Sequence, residues 1–315
     1  MSFRSSLEPY WHPVLRCEDV ADAPVGVRLL EQALVVYRSG GEIVALADSC
    51  IHRGAALSLG RLEGEHLECP YHGFQYDREG RCVRIPSLRA DQPIPEKARV
   101  PKYRAQERYG LIWVALGEPV ADVFDFPEHG DSAGQTVLLG PFDWEAAPQS
   151  VIESHLDRTH FGNSTEKAST PARNGELVCV SDVREPNFGH THQPIPGPTH
   201  LDFRYTTQVS LPLSAHTRKT RLEDGVETRA AYAFGVAVSP ISESSCRFYA
   251  WLSRNYAFEM PHSEFVFLLK RFLDAERPLI ESRRAELLVA SERYELPGER
   301  HCVAYRKRLA ELGVE

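Results

Sequence analysis

Four residues constrain this chain more than any other feature: Cys50-x-His52 and, after sixteen intervening residues, Cys69-x-x-His72. Each half offers one thiolate and one imidazole. Soft thiolates suit iron–sulfur centres, and imidazole suits iron or zinc. Zinc fingers group two cysteines together and two histidines together, whereas here the two types interleave. That arrangement lets the two thiolates take one iron and the two imidazoles the other. Neutral His in place of Cys reduces the negative charge on the cluster and raises its potential. The pattern therefore predicts a [2Fe–2S] cluster on Cys50, His52, Cys69 and His72. Gly54 and Gly73 follow the ligand tips, where backbone must approach sulfide closely. Pro70 stiffens the second loop, and Tyr71 is placed to donate a hydrogen bond toward sulfur.

The chain has 315 residues, enough for two domains and two cores. Its seven cysteines are odd in number and thinly spread, unlike a disulfide scaffold. Cys17, Cys82, Cys179, Cys246 and Cys302 read as ordinary small buried residues. The net charge of −8 is scattered over both signs, with no basic block for nucleic acid or an anionic membrane. No apolar run is long enough to span a bilayer. The segment MSFRSSLEPYWHPV lacks the apolar core of a signal peptide. The expectation is a cytoplasmic protein.

The first third reads as short strands broken by turns. VVYRSGGEIVALA is two β-branched runs around Ser-Gly-Gly, FQYDREGRCVRI is a pair around Asp-Arg-Glu-Gly, and YGLIWVAL is a strongly apolar strand. This predicts an all-β module over residues 1–118, ending near Gly117-Glu118-Pro119. A loose segment, Ala121 to Gln135, follows. APQSVIESHLDRTHF reads as helical. Strands recur in ELVCVSDV, HLDFRYTTQVSL, TRAAYAFGVAVS and SSCRFYAWLS, and a long helical stretch runs from Ser263 to Ser291. Strands followed by helices predict an α+β second domain, residues 119–315, over an antiparallel sheet.

CIHRGAALSLG and LECPYHGFQYDREGRCVRIPS together resemble the Rieske domain of the Rieske non-heme iron oxygenases. The resemblance continues: APQSVIESHLDRTHF is similar to the segment that opens that family's mononuclear iron site, and AERPLIESRRAEL with VAYRKRL resembles its C-terminal end. It implies a helix-grip (START/Bet v 1-like) second domain, with an antiparallel sheet wrapped around a long helix. It also implies mononuclear Fe(II) on two histidines and a carboxylate, O2 and a small organic substrate as reactants, and a homotrimer. Electrons would come from a separate ferredoxin and/or flavin reductase, since no dinucleotide fingerprint or plant-type ferredoxin spacing is present. The length resembles that of the single-subunit monooxygenases and demethylases.

The family pattern is roughly Glu-Asn-x-x-Asp-x-x-His-x-x-x-x-His. Here Glu153 fits the Glu, Ser154 replaces the Asn, Asp157 fits the Asp and His160 fits the first His, but Thr165 stands where the second His should be. Three readings follow. His155 and His160 reproduce the His-x4-His spacing in a shifted register, with Ile152 where the Asp would be. A distant histidine, His190 or His192, fills the gap. Or the site has lost a ligand and the chain is a Rieske electron-transfer or accessory protein. The resemblance makes Asp157 a hydrogen-bond bridge between the iron site and a neighbour's cluster. The carboxylate ligand is expected on the late helix. There Phe265, Leu268, Leu269, Phe272 and Leu279 form an apolar stripe with Glu276 near its middle and Asp274 opposite. A carboxylate on a buried face needs a partner, and the resemblance also selects Glu276. Pro278 threatens the helix at that point. Phe188, Phe203, Tyr205, Tyr232, Phe234, Phe248, Tyr249 and Trp251 divide between core and pocket lining.

Overall fold

The computed structural model describes residues 2–89, 91–157, 164–171, 176–186, 199–283, 296 and 299–314. Two compact units are present: Leu7–Val123 with Ser239–Ser242, and Met1–Ser6 with Phe124–Val238 and Glu243–Glu315.

The first unit is built on two small sheets. One runs in the order β1 (His12–Arg16), β10 (Leu111–Ala115), β9 (Lys102–Arg108), β4 (Glu42–Ala47), β3 (Gln32–Ser39), β2 (Val25–Leu29); the other holds β5 (Arg61–Glu63), β6 (His66–Glu68), β7 (Gln75–Tyr76) and β8 (Cys82–Arg84) in sequence. The Ser-Gly-Gly turn works as read: Ser39 pairs with Glu42, and Gly40 and Gly41 both take positive φ, +59° and +83°. A two-residue hairpin loop with that geometry matches the twist of its strands.

The second unit is a seven-stranded sheet, in the order β11 (Gln135–Trp144), β17 (Cys246–Arg254), β16 (Val226–Pro240), β15 (Ser214–Glu223), β14 (His200–Ser210), β13 (Leu177–Pro186), β12 (Ser164–Pro171). The helices are α1 (Phe3–Leu7), α2 (Pro148–Leu156), α3 (His262–Glu281) and α4 (Arg300–Glu311). The expected α+β architecture holds. Strand alternation sorts the aromatic residues. Phe248 and Leu252 of β17 face a cavity, while Trp251 packs on the other face against Phe124 and Phe126, at 5.5 and 6.1 Å. Helix α3 lays Phe265, Val266 and Leu269 over Leu139, Ala250 and Leu252.

Helix α3 corrects the expected stripe. Its buried residues include Leu273, Glu276 and Ile280, whereas Phe272 and Leu279 are mostly exposed. Pro278 does not break it: the helix runs on to Glu281, although Pro278 cannot donate to the carbonyl one turn earlier. Cys82, Cys179, Cys246 and Cys302 are buried as expected, but Cys17 is only half-buried. Among the described residues no helix is long and apolar enough to cross a membrane.

The segment before β11 is pinned to the sheet by charge. Glu128 sits 2.7 Å from His216 Nε2 and 2.6 Å from Arg218 Nη1. Burial pushes the Glu128 carboxyl up, but its hydrogen bonds to His216 and Arg218 outweigh burial and hold it below the usual carboxylate range. A depressed pKa stabilises the fold above the unfolded value and loses that stabilisation as pH falls through the folded one. Urea midpoints measured from neutral to acid pH should show this: Glu128→Gln loses about 1–3 kcal/mol at neutral pH and has a flatter acid profile than wild type. Equal profiles would remove Glu128 from the acid response.

Candidate metal and substrate sites

The two Cys/His loops share one backbone closure despite their unequal spacing. Gly54 N–H donates to Cys50 O at 2.8 Å and Cys50 N–H to Ala55 O at 2.9 Å. In the second loop Gly73 N–H donates to Cys69 O at 3.1 Å and Cys69 N–H to Phe74 O at 2.8 Å. Gly54 and Gly73 take φ of +72° and +69°, a region that favours glycine. The closures bring like donors together. The thiols of Cys50 and Cys69 are buried, and His52 Nδ1 lies 3.1 Å from His72 Nδ1 at the exposed tips. His52 stacks on Phe74 with ring centroids 4.9 Å apart. Burial pushes the Cys69 thiol up and the adjacent Cys50 adds to this; the backbone N–H groups of Tyr71 and His72, which hydrogen-bond Cys69, act against both. A pair of sulfurs and a pair of imidazole nitrogens on two facing loops suits a [2Fe–2S] cluster with mixed ligands.

The tyrosine beside sulfur is Tyr76, not Tyr71. Tyr71 is exposed and its ring lies on His72 at 3.8 Å. Tyr76 is fully buried on β7. Its oxygen accepts the Ile51 N–H at 3.2 Å and lies 3.1 Å from Cys50 Sγ, leaving its O–H to donate to sulfur. Burial and Cys50 push its pKa up, so it remains a donor.

In the second unit a cavity of about 420 Å³ lies between α2, α3 and the sheet. Its wall gathers Ser154 and His155 from α2, Asp157 just past the end of that helix, Thr217 from β15 and Glu276 from α3. Ser154 Oγ donates to Glu276 Oε2 at 3.0 Å. His155 Nε2 lies 2.6 Å from Thr217 Oγ1, which is 2.7 Å from Thr207 Oγ1, and the imidazole packs on Phe234 at 5.1 Å. Glu276 is buried and Asp274 exposed. Tyr205, Tyr232, Phe234 and Phe248 line the cavity. Phe203 lies beneath Lys219, and Tyr249 is buried.

Helix α4 braces α2 from behind. Glu153 pairs with Arg306 and lies 3.7 Å from Arg283; Cys302 Sγ donates to Glu153 O at 3.6 Å. Tyr305 donates to Pro212 O at 2.8 Å, and His301 Nε2 lies 2.8 Å from Ser181 Oγ. Glu153 therefore anchors a helix rather than lining the cavity. His160, His190, His192 and Phe188 lie outside the described residues. Among the described residues no three His, Cys, Asp or Glu side chains gather to hold a metal ion. The sequence reading missed Tyr76, Thr217 and Lys219; only strand pairing reveals them.

Residues 10–104 match the family model of the Rieske [2Fe-2S] domain. The chain is 29% identical to the methylxanthine N1-demethylase NdmA of Pseudomonas putida, covering 98% of this chain and 90% of the relative. It is 28% identical to the methylxanthine N3-demethylase NdmB of the same organism, covering 99% and 91%. The solved structure of NdmA from Pseudomonas putida CBB5 with caffeine aligns with a TM-score of 0.80 at 26% identity, covering 98% of this chain and 92% of that one. The chain has a Rieske [2Fe–2S] domain and along nearly its whole length is similar to the oxygenase components of Rieske non-heme iron oxygenases; it is an oxidoreductase that carries a [2Fe–2S] cluster and mononuclear iron and acts on small organic molecules.

Proposed function

We propose that this oxygenase component removes a methyl group from a ring nitrogen or oxygen of a cyclic substrate, as a cytoplasmic homotrimer fed by a separate reductase. Residues 1–118 carry the cluster on Cys50, His52, Cys69 and His72, and residues 119–315 carry the mononuclear iron on His155, His160 and Glu276. One observation supports this most: polar groups from α2 and α3 meet at one wall of an otherwise apolar, aromatic cavity. The whole-length relatives include two demethylases.

When bound, the cluster and iron supply electron transfer and O2 activation. The chain supplies positioning. Thr217 occupies Nε2 of His155 and so leaves Nδ1 as the nitrogen that would bind metal. Ser154 holds one oxygen of Glu276 and turns the carboxylate toward α2. A third donor comes from beyond the described residues, and His160 lies three positions after Asp157. Asp157, whose N–H is tied to Glu153 O at 3.0 Å, is the bridge toward a neighbour's cluster. The aromatic walls exclude water and hold a flat ring.

Metal analysis tests the iron site. Wild type should hold about three irons per chain, two in the cluster and one mononuclear. His160→Ala and Glu276→Ala should each hold about two, with the cluster's visible absorption intact. Variants that keep the third iron would overturn the ligand assignment. Formaldehyde release from N- and O-methylated ring compounds tests the reaction; hydroxylated product without formaldehyde would overturn demethylation.

The same proposal fixes the tyrosine roles. Redox titration should find Tyr76→Phe at a more negative midpoint potential than wild type, because reduced sulfur loses a donor. Tyr71→Phe should titrate with wild type. The reverse ranking would exclude Tyr76 from tuning the cluster.

A further inference from the structure

The cavity has a second polar pole, and it carries a charge. Lys219 lies on β15 two residues past Thr217, on the same strand face and so roughly 7 Å further along the wall. Its Nζ sits 2.6 Å from Glu185 Oε2, 4.1 Å from the centre of the Phe203 ring and 5.2 Å from that of Tyr205. The Tyr205 hydroxyl donates to the other oxygen of Glu185. The Lys219 and Glu185 side chains are only 20% and 16% exposed. Three adjacent strands, β13, β14 and β15, thus fix one ammonium on a wall made largely of aromatic and aliphatic side chains.

Stability alone does not call for this arrangement. Replacing a buried ion pair by apolar side chains of similar volume is often neutral or stabilising. Its position on the cavity wall points to recognition. The charge balance selects what is recognised. Glu185 already neutralises the ammonium, so an anion brought to Lys219 would also meet a carboxylate. A neutral carbonyl oxygen accepts an ammonium N–H without that repulsion. Tyr232, Phe234 and Phe265 give the cavity flat walls suited to a planar ring.

We propose that Lys219 is a specificity-determining residue that binds the ring carbonyl of a neutral, planar heterocycle, with Glu185 excluding anionic analogues. This rests on the reading of the His155–Glu276 pole as the reacting end only for orientation: it sets the carbonyl roughly 7 Å along the wall from the side that reacts.

The test is calorimetric binding of three probes to the holoenzyme, without O2 or reductant: N-methylquinolone with a ring carbonyl, methylnaphthalene without one, and the anion naphthoate. Wild type should bind the quinolone more tightly than naphthoate. Lys219→Met should weaken the quinolone by about ten-fold or more, the size of one hydrogen bond to a charged donor, and leave methylnaphthalene unchanged. Glu185→Gln keeps the ammonium and removes its neutralising partner, so naphthoate should gain on the quinolone. It also stands in for Lys219→Met if that variant fails to fold. No saturable quinolone binding, an unchanged quinolone affinity in Lys219→Met, or naphthoate favoured by wild type would each overturn the proposal. Iron per chain, measured on the same samples, should not change; a missing third iron with intact quinolone recognition would sink the iron reading and leave this one standing.

Discussion

A carboxylate on the buried side of a helix is the constraint around which the second unit is organised. Glu276 has to be desolvated when α3 packs on the sheet, and a lone buried charge costs more free energy than apolar packing returns. Ser154, 122 residues earlier, provides the hydroxyl that answers it. That contact only exists if α2 is held at the correct height, and α2 is held by Glu153 against Arg306 and by Cys302 at its backbone. The sheet completes the arrangement by presenting Thr217 to His155. Buried polar groups that satisfy one another specify a single arrangement more sharply than hydrophobic packing alone.

The first unit meets a different demand with the same economy of means. Two loops of unequal spacing, one residue between ligands and two, close with the same pair of backbone hydrogen bonds. The common closure buries both thiols, and the extra residue in the second loop still lets the two imidazoles meet in a T-shaped arrangement. Tyr76 and Phe74, from the strand that leaves the second loop, then reach back to Cys50 and His52. One short hairpin therefore both supplies donors and surrounds those of the other loop.

Local patterns carried most of what the sequence revealed. The Cys/His spacing is a property of two loops, so it reads directly. The helical period singled out Glu276 over Asp274, and burial agrees. The same period misjudged Phe272 and Leu279, because periodicity gives a face but not how far the covering sheet extends. The strands β11 and β15 went unread. QTVLLGPFDW is interrupted by Gly and Pro, and SAHTRKTRLE is too polar to look like a buried strand. That polarity is the point: Thr217 and Lys219 face the cavity, where the usual apolar alternation gives way to groups that contact other polar side chains. Tyr76 was hidden for a related reason. Its distance from Cys50 is set by the fold of two loops around each other, and no spacing along the chain encodes it.

The brace of α4 on α2 has a consequence for the order in which the molecule can be made. Domains generally take shape from the N-terminus as the chain emerges during synthesis. The first unit's sheets need nothing beyond Ser242, but α2 waits for Arg306, and Pro212 waits for Tyr305. The segment that carries Ser154 and His155 is translated near the midpoint of the given sequence, yet Glu153 meets Arg306 only 153 residues later, after Arg283 has already come within reach. The cavity wall is thus among the last pieces to lock, after the cluster-binding loops have had time to close.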